Sequence, residues 1–252
     1  MLFRSIDKTG ERFITNEGYE IIIIKYNKYS DVLVQFQDEH KAIISTRYDC
    51  CKHGEISNPY HPSKNGIGFL GVGKYNSRKD KQCYRKWHNL MNRSYNEEYK
   101  NIYPTYKDAF VNKEWHNFQN FAEWYYNNYY EIEGETMCLD KDILYKGNKE
   151  YAPDKCIFVP ERINKLFLKN DADRGDLPIG VTYVTGCNRY QANCCMLDGR
   201  KYLGCYETIE KAFQAYKQFK EQYIKEIADE YKDKIPKELY EAMYNWVVEW
   251  ND

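Results

Sequence analysis

The fold turns on the stretch MCLDKDILYKGNKEYAPDKCIFVPERINKLF, residues 137–167. Met137-Cys138-Leu139-Asp140 is a short apolar run ending in a carboxylate, and it predicts a strand. A loop rich in Gly, Asn and Lys follows, then the turn Ala152-Pro153-Asp154, then a second strand, Cys156-Ile157-Phe158-Val159. Pro160 opens a helix, at the first helical position where its missing N–H costs nothing. That helix carries Asn164. Strand, loop, strand and helix thus offer an oxygen ligand on a strand, Asp140, and another on a helix, Asn164. Such a pair is expected to converge on one divalent cation beside a phosphate.

Leu139-Asp140-Lys141-Asp142, Asn148, Tyr151-Ala152-Pro153-Asp154-Lys155-Cys156, Phe158-Val159-Pro160 and Asn164 together resemble the HNH endonuclease-like proteins of phages and mobile introns. The resemblance implies a ββα core, with Asp140 and Asn164 holding Mg2+ or Mn2+ and Asp142 as a substitute ligand or base. It also marks a departure. An active HNH enzyme has a His after the strand Asp to deprotonate water, and this chain has Lys141. With an ordinary pKa near ~10.4, a lysine there is a phosphate clamp unless that value is strongly depressed. The catalytic set implied by resemblance is therefore Asp140, Lys141, Asp142 and Asn164, with the metal-ligand half intact and the general-base half missing.

Working outward toward the N-terminus, residues 1–73 read as all-β. YEIIIIKY (19–26), DVLVQF (31–36) and AIIST (42–46) are strand-like runs separated by polar turns. They predict a small barrel of about five strands, roughly SH3-like in size, closed by residues 54–73. The glycines of Gly66–Gly73 alternate with apolar residues and predict tight backbone packing; a phosphate loop needs a strand-to-helix transition that the sequence lacks.

Residues 74–170 are expected to hold a helical segment and the ββα core. Lys74, Arg78, Lys79, Lys81, Arg85 and Lys86 are opposed only by Asp80, and a helix over Tyr84–Tyr95 puts Trp87, Leu90 and Met91 on one face. A solvated basic face accounts for this, as does contact with a nucleic-acid backbone through Lys79, Lys81, Arg85, Lys86 and Arg93, with Lys155 and Arg162 added from the core. Trp115, Phe118, Phe121 and Trp124 recur at three-residue spacing, one face of a helix that core packing explains fully. The W-x3-M-x-R run from Trp87 to Arg93 and the later W-x-x-F-x-x-F run extend the HNH-like resemblance upstream.

Asn170–Asp176 reads as a polar hinge, followed by strands over Val181–Thr185, Arg189–Met196 and Lys201–Tyr206. Asp198-Gly199 is a strong hairpin signal. Thr208 caps a long helix, Ile209–Tyr231. Gly180-Val181, Tyr190-x-Ala192, Tyr202-Leu203-Gly204-x-Tyr206 and Thr208-x-Glu210-x-Ala212 resemble the AP2 domain of plant transcription factors and phage homing nucleases. The resemblance covers residues 171–231 and implies a sheet that docks on double-stranded DNA. It offers Thr182, Tyr183, Arg189, Tyr190, Gln191, Asn193, Arg200 and Lys201 as contacts. A generic ββα packing module is the plainer alternative. Residues 232–252 hold a terminal helix from Pro236 to Trp250 whose Leu239, Met243, Trp246, Val247 and Trp250 stripe suits docking within the chain or self-association.

Composition narrows the classes. Hydrophobic content of 42% supports packed cores, and a formal net charge of −1 excludes a histone-like polycation. No run of eighteen apolar residues occurs, so the chain is expected to be cytoplasmic and off the membrane, in the host cytoplasm if phage-encoded. Nine cysteines without CxxC spacing, and five histidines in no ligand pattern, predict reduced thiols and no zinc. The expected class is α+β and multi-domain. The expected function is that of a phage or mobile-element DNA-binding protein of HNH homing-endonuclease type, at best a weak metal-dependent nickase. Two alternatives stand beside it. One is a catalytically inactive DNA-binding protein with the core as scaffold. The other is an inhibitor of a host defence system that binds a protein or nucleoprotein complex.

Overall fold

The isoleucine run Ile21–Ile24 cannot bury every side chain on one face of a strand, and the sheet it forms shows how the chain resolves this. In the computed structural model, which describes residues 6–168 and 175–252, strands β1 (Arg12–Ile14), β2 (Glu20–Lys28), β3 (Asp31–Phe36) and β4 (Ile43–Thr46) form an antiparallel meander in sequence order. Ile21 and Ile23 lie opposite Phe36 and Val34, and all four are fully buried with Val32. A register shift after Ile23 leaves Ile24 on the outside.

Among the described residues the expected barrel is absent, because β1 and β4 remain edges of an open sheet. Helix α1 (Tyr48–His53) covers the inner face through Cys51. Gly54 ends α1 with φ 68, and a Cβ there would sit 2.9 Å from the Ile14 carbonyl oxygen, so only glycine fits. Residues 54–73 form bends, with bridges Lys64–Gly68 and Phe69–Asn117 in place of a strand. The glycines there do serve close approach: a Cβ on Gly68 would meet the Trp87 ring at 2.9 Å.

Residues 1–127 make up the first of two units. Its helical part holds α2 (Lys81–Tyr95), α3 (Glu97–Ile102), the two-residue strand β5 (Phe110–Val111) and α4 (Phe118–Asn128). α2 begins three residues earlier than expected and buries Trp87, Leu90 and Met91 as predicted. Trp115 stands on a separate 3-10 turn, Lys113–His116, and the extended Asn117 breaks the expected single helix before Phe118. The stripe still forms one core, since Trp115, Phe118 and Phe121 are all fully buried. The Trp87 indole N–H donates to the Trp115 carbonyl at 2.7 Å.

Residues 128–252 form the second unit. Strand β6 (Met137–Asp140) pairs antiparallel with β8 (Ile157–Pro160), placing Met137 opposite Pro160 and Asp140 opposite Ile157. Strand β7 (Glu150–Tyr151) lies in the intervening loop, and helix α5 (Glu161–Asn164) follows. Pro160 is the residue before the helix and Glu161 the first within it, a shift of one from the expected position. Strands β9 (Val181–Val184), β10 (Arg189–Met196) and β11 (Gly199–Tyr206) make a three-stranded antiparallel sheet with β10 central. Most of the Asn170–Asp176 hinge lies outside the described residues.

Helix α6 (Ile209–Tyr231) organises this unit. At 1.5 Å per residue, its 23 residues run for about 35 Å. Its first turns bury Ala212, Phe213 and Tyr216 against Val181, Ala192 and Cys194 of the sheet. Its last turns bury Ile224, Ile227, Ala228 and Tyr231 against Ile157, Val159, Ile163 and Leu166 of the ββα core. The ββα core and the three-stranded sheet therefore share one unit, where the sequence suggested boundaries at 170 and 231. Helix α7 (Lys237–Tyr244) adds Leu239 and Met243 to the ββα side. It stops six residues short of Trp250. The tail instead runs extended along α6, where Val248 accepts from Lys217 Nζ at 2.6 Å and donates its N–H to Glu221 Oε1 at 2.8 Å.

Candidate nucleic-acid interface and the ββα core

Residues that face each other across an antiparallel pair share a side of the sheet. Cys138 and Asp140 therefore lie on the same side as Val159 and Ile157, the side covered by Ile163 and Leu166. Asp140 is thus under the helical cover, in the ββα arrangement the sequence suggested. Its Oδ1 accepts the backbone N–H groups of Asp142 and Ile143, both at 2.7 Å. The carboxylate closes the turn that leaves β6. Burial raises its pKa above the usual carboxylate value, against the lowering effect of those two hydrogen bonds.

Lys141 is turned inward. The residue is only 7% exposed. Its Nζ donates to Asp142 Oδ2 at 2.5 Å and to the Asn148 carbonyl at 2.9 Å, and lies 5.7 Å from the Tyr151 ring centroid. Asn148 answers by donating to the Lys141 carbonyl at 2.9 Å and to the Glu150 carbonyl at 2.7 Å. Together these bonds lace the 141–150 loop shut. Lys155 pairs with Glu150, and Arg162 bonds the Tyr231 hydroxyl, which itself donates to Glu135. Asn164 is the last residue of α5 and half-buried.

A Mg2+ or Mn2+ ion needs several converging oxygens. Here one Asp140 oxygen already holds two N–H groups, and the Asp142 carboxylate is matched by a lysine ammonium. Among the described residues no cluster of three or more His, Cys, Asp or Glu side chains is arranged to hold a metal. The donors as they stand do not fit a divalent ion. None of the nine cysteines is joined in a disulfide. Burial pushes the Cys83 thiol up to about 12 and raises that of Cys156 further.

The three-stranded sheet sorts the remaining candidates by its pleat. Ala192 and Cys194 face α6, so Arg189, Gln191, Asn193 and Cys195 of β10 face away. Thr182 lies opposite Gln191, Arg200 opposite Cys195 and Tyr202 opposite Asn193, which puts all three on the same uncovered side. Tyr183 pairs with Tyr190 and Lys201 with Cys194, on the other side. Five of the eight expected sheet residues are thus gathered on one face, and three are not. Tyr202, 58% exposed, belongs with the five. Its spacing of two from Arg200 was the available signal.

On that face Gln191 donates to Asn193 at 3.2 Å, and Arg189 approaches Glu207 at 3.8 Å. A thiol pair stands at one end, with Cys187 Sγ 4.0 Å from Cys205 Sγ. In the first unit, Lys79, Lys81 and Arg85 are exposed, while Lys86 and Arg93 are half-buried. Arg93 sits 5.5 Å from the Tyr106 ring centroid. Among the described residues, no helix is long and apolar enough to cross a membrane.

No family model matches this chain, and neither the curated proteins nor the solved structures include a match.

Proposed function

We propose that this chain is a DNA-binding protein of HNH homing-endonuclease type, from a phage or mobile element, in which the ββα core serves as scaffold. Duplex DNA is held by the outer face of the β9–β11 sheet. The observation that carries this reading is that Thr182, Arg189, Gln191, Asn193, Arg200 and Tyr202 share one uncovered sheet face. Arginines, amides and a tyrosine on a β-ribbon suit phosphate and base-edge contact in a major groove. The scaffold half of the reading rests on Lys141, whose ammonium donates to Asp142 and to the Asn148 carbonyl, and on Asp140, whose Oδ1 accepts two backbone N–H groups of the same loop.

A folded Arg189→Ala/Arg200→Ala variant tests the reading in a duplex titration at several salt concentrations. Two lost phosphate contacts lower the slope of log affinity against log salt by about two, at about 0.9 each. Unchanged affinity and slope reject the sheet as the binding face.

A further inference from the structure

We propose that the first unit carries a separate binding track for single-stranded nucleic acid, formed by the exposed face of α2 and the tyrosine cluster that follows it. Helix α2 contains Lys81, Arg85, Lys86 and Arg93 and not one Asp or Glu. Its buried residues Cys83, Trp87, Leu90, Met91 and Ser94 fix the orientation, so at 100° per residue Lys81, Arg85 and Asn89 fall together on the opposite, exposed side, with the half-buried Lys86 and Arg93 on its flank. The carboxylate at its N-cap, Asp80, accepts from the Asn76 N–H at 2.6 Å and the Tyr126 hydroxyl at 2.7 Å.

The face leads to rings. Arg93, in the last turn of α2, stands over Tyr106 at 5.5 Å. Tyr106 lies 5.9 Å from Tyr99, and Tyr99 lies 4.8 Å from Tyr103. Tyr103 is 49% exposed, at the end of α3 where residues 101–105 all face solvent. Glu97, two residues before Tyr99, is carried to the opposite side of α3 by helical spacing, and Glu98 to its flank.

Cations that follow a backbone, ending in open aromatic faces, are what an unpaired strand requires. In a duplex the base faces are already covered by their neighbours. In a single strand they are free to stack on tyrosine, with arginine adding a cation–π contact. The track is independent of the duplex reading, because all of its residues lie in the first unit and the β9–β11 sheet lies in the second.

The test is anisotropy of a labelled oligothymidylate of about twelve nucleotides, within the usual site sizes. Full-length protein and three variants are compared, each checked for fold by circular dichroism. Tyr103→Ala weakens binding by about fivefold to a hundredfold, the loss of one stacked base, and leaves the salt slope unchanged. Tyr103→Trp keeps the affinity, and its indole fluorescence is quenched by the oligonucleotide. Lys81→Gln/Arg85→Gln lowers the salt slope by about 1.4, at about 0.7 per single-strand contact. Absence of oligothymidylate binding at low salt, or full binding by Tyr103→Ala, overturns the proposal. So does loss of that binding in Arg189→Ala/Arg200→Ala, which assigns the strand to the sheet. The duplex titration of the same double variant judges the other reading separately.

Discussion

Asp140 does two jobs that pull its ionisation in opposite directions. Its Oδ1 is the acceptor for two backbone N–H groups, which favours the anion, and its burial disfavours it more strongly. Because the folded pKa is raised above the ordinary 3.8, the native state binds the proton more tightly than the unfolded chain. Stability from this group therefore falls as pH rises from near 3.8 through the raised folded value. An amide keeps an oxygen for both N–H groups and has nothing to ionise. Asp140→Asn is expected to be as stable as wild type or more so at neutral pH, with this part of the pH slope gone. Asp140→Ala, which orphans both donors, is expected to lose about 1–3 kcal/mol. Urea denaturation of the three proteins between about pH 4 and pH 7 measures both effects. Lys141→Met similarly leaves the Asn148 carbonyl without its donor and is expected to cost about 1–3 kcal/mol in the same assay.

At the scale of elements, α6 carries the second unit, since one helix lines two cores. Ile224 is fully buried on the ββα side, and Ile224→Ala is expected to cost about 2–5 kcal/mol. If α6 couples the cores, hydrogen exchange in that variant accelerates in β10 as well as in β6 and β8. Acceleration confined to β6 and β8 would mean the two cores open separately. Gly180 guards the other end. It adopts φ 77, and a Cβ there would lie 2.0 Å from the Tyr216 ring. Gly180→Ala is expected to destabilise by more than about 1 kcal/mol, read as a lowered urea midpoint.

The β9–β11 sheet was legible almost to the residue, because period-two alternation and the Asp198-Gly199 turn both act locally. The ββα order was legible for the same reason. The length of α6 was readable too, yet the partner of its second half was not: a 3.6-residue stripe gives a buried face without naming what covers it. The interior placement of Lys141 was not legible: the sequence offered a phosphate clamp after the strand carboxylate, and only the loop that returns to place the Asn148 carbonyl and Asp142 beside it draws it inside.

Across the whole molecule the charge is divided unevenly. Residues 1–127 contain 19 Lys and Arg against 15 Asp and Glu, and residues 128–252 contain 18 against 23. A unit of that acidity offers no broad field to draw in DNA, so the proposed duplex binding through its sheet would rest on a few local contacts with a shallow salt dependence. In the proposed reading, position 141 belongs to the interior of a loop and cannot be recruited as a general base. Supercoiled plasmid incubated with Mg2+ or Mn2+ tests this directly, using wild type, Lys141→His and Lys141→His/Asp140→Ala. Closed circles are expected with all three, since a His at 141 would face Asp142 and the Asn148 carbonyl, away from a scissile phosphate. Metal-dependent nicking by wild type or Lys141→His that Asp140→Ala abolishes would contradict that reading.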